Sequence, residues 1–502
     1  MKRMFYLQML VVFLMILLIS LSYAFAGKPD KPGKPGDSEP PPTPQESEGG
    51  VLDLSGINIV TVQPDGDGSL HVWSNNGADS AWDAIESESS WTILDVHHSS
   101  VAIGDLDGDT KNEIIVPAAC SFPEGYPYPY GIFINAYEEG DNFYDDLIKE
   151  GVMDVWGTTW YSPYDWIEED MHWRNEIRVA DLDGDEMGDE IVLITNEHIA
   201  IFDYVLCDPD QETPWLGEGT IIKVADISLA ELIDGFTSGG TASVEIGNVA
   251  GGDDPDIIVT INSVEDGIFG GYLVIFKDPF AVINPDDENP QLNLLSNSVG
   301  LFSELPSWGY NQDGIQLSDF NGTKFNKIWT GYSTRYEVTE PYLRGKKLIG
   351  RTVIRYGAYL SYWDTNSLSE STTPVELQKD TSFPYWFKMA TGDIITECEN
   401  GMVCGGDEIV IGMGSSISVF NASDLMNQFP AGPLKTYSPT VEPGIGLNKL
   451  AIYDGKIIFG GASGSDLSLY LGVIDPSEFV NPIWELVSGS GREAWDFAVI
   501  KK

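Results

Sequence analysis

The stretch Val101 to Pro117, VAIGDLDGDTKNEIIVP, limits the chain more than any other. A short apolar lead-in runs into Asp105-Leu106-Asp107-Gly108-Asp109, then Glu113, then a second apolar run from Ile114. The pattern predicts strand, carboxylate loop, strand. Three carboxylates at every second position converge when a tight loop curls around them. Bare, each pair repels by roughly 4 kcal/mol at about 4 Å and an effective dielectric near 20. A hard divalent cation removes that repulsion, and an all-oxygen donor set suits calcium. Asp105, Asp107, Asp109 and Glu113 would supply side-chain oxygens, and Lys111 a backbone carbonyl.

An EF-hand fits these residues badly. That loop needs Gly at its sixth position and Glu at its twelfth, between helices. Here Gly108 stands fourth, the last acid stands ninth, and both flanks read as strands.

The hairpin recurs. The second copy, IRVADLDGDEMGDEIVLIT from Ile177, has Asp181, Asp183, Asp185 and Asp189 in the ligand places and Met187 in the place of Lys111. Glu190 competes with Asp189, because the following strand starts one residue late. In the third, from Val244, Asn248 and Ala250 replace the first two acids, while Asp253, Asp254 and Asp256 remain. The fourth, from Ile315, keeps Asp319 and Asn321 but has Thr323 and Lys327 in the later places, so it should hold no metal. The fifth runs from Met389 to Asp393 and resumes at Asp407, with Cys398 and Cys404 inside its enlarged loop. The sixth, from Lys449, keeps the hairpin and drops the loop. Starts near residues 101, 177, 243, 315, 388 and 449 give a spacing of about 60 to 75, room for four short strands.

These hairpins resemble the FG-GAP, or VCBS-like, repeat of integrin-alpha-type β-propellers. Two copies match closely and the others mainly by position. The resemblance implies calcium ions that are structural, rigidifying the turn between the first and second strands of a blade. It also implies that one face of the ring binds partners. The ends of the chain add to this. Residues 57–74 read as the second and third strands of a blade lacking its first, and residues 495–500 as a first strand with nothing after it. The expected fold is therefore all-β: a seven-bladed β-propeller of four-stranded antiparallel blades over residues 51–502, closed by a mixed N/C-terminal blade. Six or eight blades stay open as alternatives.

The 502 residues carry 78 acids against 27 Lys and Arg, a net charge of −51. Nucleic-acid phosphates would be repelled. The surplus favours solubility and cation binding. Lys2 and Arg3, an apolar run to about Leu21 and Ala24-Phe25-Ala26 read as an export signal over residues 1–26, with an uncleaved anchor as the alternative. Residues 27–50, rich in Pro, Gly and charge, read as a disordered tether. The expected location is secreted or extracellular, in contact with the envelope if the tether holds it there, with no membrane span in the mature chain. Export makes the four Cys candidates for disulfides. Cys398 and Cys404 would staple one short loop, leaving Cys120 and Cys207 as a second pair or as two buried thiols.

Residues just before the first strands should emerge at the end of the ring opposite the acid loops. His98, His172, Trp173, Trp308, Tyr310, Trp386 and Arg492 fall there. Flat aromatic faces beside hydrogen-bonding groups suit sugars, and Arg suits carboxylates. No HExxH, GxSxG, P-loop or Cys–His signature is present. The favoured function is a calcium-stabilised binding or adhesion module for an extracellular protein or glycan. The alternative is an extracellular carbohydrate-active enzyme, a polysaccharide lyase or hydrolase, with His98 and His172 as its candidate bases.

Overall fold

The computed structural model describes the strands and tight turns between Ile57 and Lys501. Residues 1–56 and several internal segments, among them 155–175, 185–187, 207–218, 280–297, 319–326, 382–386, 395–406 and 489–495, lie outside the described residues. The leader and tether expected over residues 1–50 are among them.

The chain is all-β. It begins with β1 (Ile57–Val62), β2 (Leu70–Asn75) and β3 (Trp82–Glu86), followed by β4 (Leu94–His98), β5 (Ala102–Gly104), β6 (Glu113–Ser121), β7 (Tyr130–Glu139) and β8 (Leu147–Asp154). Next come β9 (Glu176–Ala180), β10 (Glu190–Ile194), β11 (His198–Leu206) and β12 (Gly219–Ser228), then β13 (Ala242–Gly247), β14 (Asp256–Glu265), β15 (Ile268–Phe276) and β16 (Ser298–Ser303). A larger group holds β17 (Ser307–Ser318), β18 (Lys327–Arg344), β19 (Lys347–Asp364), β20 (Ser369–Glu370) and β21 (Val375–Thr381). The last are β22 (Phe387–Gly392), β23 (Glu408–Met413), β24 (Ser416–Asn421) and β25 (Lys435–Tyr437), then β26 (Ile445–Tyr453), β27 (Lys456–Ser463), β28 (Leu469–Ile474), β29 (Glu485–Ser488) and β30 (Asp496–Lys501). Among the described elements a short helix, α1 (Ala422–Asn427), follows β24, and Asn421 Oδ1 accepts from Asp424 N at its start. Among the described residues no helix is long and apolar enough to cross a membrane.

The described strands form seven separate sheets, each an up-and-down run of neighbours. Six are continuous in sequence. The seventh has the order β3-β2-β1-β30, with Ile57 opposite Lys501 and Val62 opposite Asp496. The two extremities of the described chain thus share one sheet, as the sequence suggested.

Central strands such as β10 (EIVLI) and β23 (EIVIGM) are buried almost without a break. A strand covered on one face would alternate. A continuous apolar run means cover on both faces. The cover is the next sheet on each side. Ile115 and Ile134 of one sheet pack with Ile177, Ile191 and Phe202 of the next. Val192 and Ile201 then pack with Val244, Ile257 and Phe276. Ile258 and Leu273 meet Ile315 and Ile328, and Trp329 and Leu360 meet Met389 and Ile409. Val410 and Val419 meet Leu450 and Phe459, and Ile458 and Leu471 meet Ile59 and Phe497.

The first strands also touch one another. β5 lies against β9, β9 against β13, β13 against β17, β17 against β22, β22 against β26, β26 against β30, and β30 against β5. Polar side chains stitch several of these steps. Asp496 Oδ2 accepts from Ser100 Oγ (2.9 Å) and Val101 N (3.2 Å), and its Oδ1 lies 2.8 Å from Lys449 Nζ. Ser100 Oγ also accepts from Ile177 N, and Glu176 Oε2 from Val244 N.

Three of the expected rim residues lie within strands. His98 ends β4, which precedes β5 and pairs with β6 alongside it. Trp308 and Tyr310 likewise lie inside β17, which is longer than expected and carries register shifts after each of them.

Candidate metal centres

Each hairpin between a first and second strand closes on one opposed pair of residues. The pairs are Gly104 and Glu113, Ala180 and Glu190, Gly247 and Asp256, Ser318 and Lys327, Gly392 and Glu408, and Tyr453 and Lys456. The strand register thus aligns the six copies residue by residue. Four carry an acid at the first place of the second strand, and two carry Lys.

That acid does the same work in all four. Glu113 Oε2 accepts from Leu106 N (2.6 Å), and Glu190 Oε2 from Leu182 N (2.6 Å). Asp256 Oδ2 accepts from Val249 N (2.8 Å), and Glu408 Oε2 from Ile394 N (3.0 Å). All four acids are buried. Each satisfies a loop N–H that turns away from the sheet ladder, so it acts as a staple across the loop. Sequence reasoning missed this role. The only signal was an acid heading an otherwise apolar strand.

In the first loop Asp105, Asp107 and Asp109 bring one carboxylate oxygen each within 4.8 Å of one another. Asp105 Oδ2 accepts from Thr110 N (2.8 Å), Asp107 Oδ1 from Asp109 N (3.0 Å) and Asp109 Oδ1 from Lys111 N (2.7 Å). Gly108 and Thr110 have positive φ of 73° and 76°, which curls the chain around the acids. Asp105 Oδ1 is buried and accepts no hydrogen bond. A buried carboxylate oxygen with that geometry, inside a set of hard oxygen donors, fits a divalent cation. Glu113 is not in the group of three. The Lys111 ammonium lies 3.2 Å from Asp109 Oδ2 at the exposed edge.

In the second loop the group is Asp181, Asp183 and Glu190. Glu190, not Asp189, stands where Glu113 stands in the first, because the loop is one residue longer and the register opposes Glu190 to Ala180. Burial pushes the Glu190 carboxyl up to about 8; the hydrogen bond from Leu182 opposes this, and Asp183, Asp203 and Asp181 add to it. Asp189 turns to the neighbouring sheet, where its Oδ2 accepts from Asp105 N (2.9 Å). Burial raises its pKa too, against the hydrogen bond from Asp105. Asp185 and Met187 lie outside the described residues.

The remaining hairpins differ as their sequences do. Asp253, Asp254 and the fourth loop, with Asp319 and Asn321, fall outside the described residues. The sixth closes with Asp454 and Gly455, both at positive φ, a two-residue turn with no room for a ligand loop. Of the expected rim, the backbone of His98 pairs with Ala118, of Trp308 with Ser333, and of Tyr310 with Tyr332. His172, Trp173, Trp386, Arg492, Cys398 and Cys404 lie outside the described residues. No family model and no curated protein matches the chain.

Proposed function

We propose that residues 51–502 form a seven-bladed β-propeller of the FG-GAP kind, stiffened by calcium at two adjoining hairpins, and that it serves as a secreted or cell-surface module binding an extracellular protein or glycan. The observation that carries the proposal is the order in which the seven first strands meet: β30, β5, β9, β13, β17, β22, β26 and again β30. Antiparallel sheets meeting by their first strands in a cycle, with both extremities of the described chain in one sheet, support a propeller architecture. Uniting the ends also removes two sheet edges that would invite aggregation.

Calcium is supported by the two clusters of three acids, by the buried Asp105 Oδ1 and by a charge of −51. Asp105, Asp107, Asp109, Asp181, Asp183 and Glu190 would hold the ions. Bound there, an ion would neutralise the clustered charge and fix the loop. The acids of the first loop accept from that loop's own backbone, which suits a strut. Ligand binding belongs at the far ends of the first strands. Trp308 and Tyr310 occupy that end of β17, while the acid loops follow the opposite ends.

Calorimetric titration of the metal-free chain with calcium tests the first part, with two strong sites expected and none overturning it. A glycan array and a panel of extracellular proteins test the second. Binding without turnover, weakened by Trp308→Ala, is expected. Cleavage of acidic polysaccharides, seen as unsaturated or reducing ends and lost in His172→Ala, would replace the binding module with the enzyme.

A further inference from the structure

Strands β18 and β19 outrun their sheet. β17 accompanies β18 only as far as Ser307 opposite Thr334, and β21 accompanies β19 only from Tyr356 to Leu360. From Tyr336 opposite Arg355 to Arg344 opposite Lys347, the two strands pair with each other alone. Nine residues of strand reach about 30 Å at ~3.3 Å each.

Three properties set this arm apart. Its described side chains join none of the cores between sheets, yet ordering its backbone opposes folding by about 1–2 kcal/mol per residue. It holds three exposed large apolar side chains, Tyr342, Leu348 and Ile354, against only Ile222 and Leu434 elsewhere among the described residues. Its charge is also inverted. Residues 336–355 contain Arg344, Lys346, Lys347, Arg351 and Arg355 against Glu337 and Glu340, a net of +3 in a chain of −51, which leaves −54 on the rest. Cations along open strand edges deter edge-to-edge aggregation, but that need does not call for exposed Leu348 beside them.

We propose that this arm docks on the acidic body of a second copy of the chain. Charge complementarity selects the occupant. A second arm would set cation against cation, whereas the rest of every copy is strongly acidic. The reach matters as well. A hairpin about 30 Å long spans several Debye lengths, ~8 Å each at 0.15 M salt, so charge along it can act beyond the sheet it leaves. Arg355 is engaged by Glu340 within the arm, with Nε 2.8 Å from Oε1, whereas Arg351 is exposed; the sequence adds Arg344, Lys346 and Lys347 to the same stretch. The apolar side chains between them supply the contact area once charge has brought the surfaces together. The contact is head-to-tail: arm of one copy, body of its neighbour.

Sedimentation velocity on the mature chain with calcium present tests this. The intact chain is expected to self-associate as concentration rises. A chain with residues 336–355 replaced by a two-residue turn should be monomeric alone, yet capture an intact copy through that copy's arm. The triple variant K346E/K347E/R351E, with an unchanged melting temperature, should raise the dissociation constant by at least about tenfold. A monomer at every concentration up to about 100 µM, where micromolar contacts are populated, would overturn the proposal. So would an arm-less chain that still self-associates, or one that fails to capture an intact copy. Binding of a persistently monomeric chain to phosphatidylglycerol vesicles would also overturn it, in favour of a lipid surface.

Discussion

Asp105 and Asp189, in the loops of two different sheets, hydrogen-bond to each other in both directions: Asp105 N donates to Asp189 Oδ2 at 2.9 Å, and Asp189 N donates to Asp105 O at 2.7 Å. The contact is close because Gly188 allows it. Its φ is 137°, and a Cβ there would stand 2.2 Å from Leu106 O. The two acid loops therefore move as one body. Gly188→Ala should destabilise by at least the roughly 1–3 kcal/mol of a strained backbone, with the clash added. Asp189→Ala, though outside the acid cluster, should weaken calcium at the first loop. Calcium titrations of Asp189→Ala, Asp183→Ala and the double variant measure this. Unchanged affinity at the first loop in Asp189→Ala would mean that the loops act independently.

Calcium should raise thermal stability by mass action. At about 100 times its dissociation constant, one site contributes roughly 2.7 kcal/mol. Asp107→Ala and Asp183→Ala should each remove part of the shift in melting temperature, and the pair together nearly all of it. Asp319→Ala should leave it intact, because Lys327 heads the second strand there. Scanning calorimetry with calcium and with chelator reads all four outcomes.

How far the chain could be read from its residues is clearest at single positions. The convergence of Asp105, Asp107 and Asp109 was legible because acids at alternate positions around a glycine turn inward together in a tight loop. The pairing of residues 57–62 with 496–501 was legible because each end read as part of a blade that the other completed. The choice between Asp189 and Glu190 was not, because it depends on strand register, and one extra loop residue moves every later side chain to a new partner. The staple by Glu113 was hidden for another reason: a buried acid that satisfies a backbone N–H and a metal ligand use the same residue type. The β18–β19 arm was missed because strand periodicity reports where strands run and gives no sign of where their neighbours stop.

Asp256 separates the staple from the ion. Its Oδ2 accepts from Val249 N in a loop whose first acid places hold Asn248 and Ala250. Asp256→Ala would leave that buried N–H without its acceptor, a loss of roughly 1–3 kcal/mol. Asp256→Asn, which keeps a carbonyl oxygen there, should lose less. Both losses should be the same with calcium or chelator in chemical denaturation. Dependence on calcium would make Asp256 a metal ligand.

Asp226 should govern part of the acid limb of stability. Burial alone would raise its pKa, but hydrogen bonds from His198 (Nδ1, 2.9 Å) and Lys223 (Nζ, 2.7 Å) outweigh burial and hold it below 3.8. The ionised form is thus favoured by folding. Its contribution is complete above the unfolded value of about 3.8 and is lost as pH falls through the lower folded one. Asp226→Asn should reduce stability at neutral pH and flatten the decline below about pH 4. Denaturant midpoints across that range give the slope, and an unchanged slope would exclude the group.

The seam at Asp496 carries the last prediction. Its buried carboxylate faces the Lys449 ammonium and accepts from Ser100 and Val101, joining three sheets where the chain's extremities meet. Asp496→Ala sets a largely buried ammonium against an apolar gap and deprives two donors of their acceptor, a loss of roughly 3–5 kcal/mol. Replacing the ion pair by Asp496→Leu with Lys449→Met should recover much of this, since well-packed apolar groups can substitute for a buried pair. Deleting residues 496–502 should do worse than either. It leaves β1 with an open edge from Ile57 to Val62 and uncovers Ile59 and Ile458, which pack with Phe497. A strand edge of that kind templates association, so the truncated chain should aggregate on expression. A truncated chain that is soluble, monomeric and as stable as the intact one would mean that β30 does not close the structure.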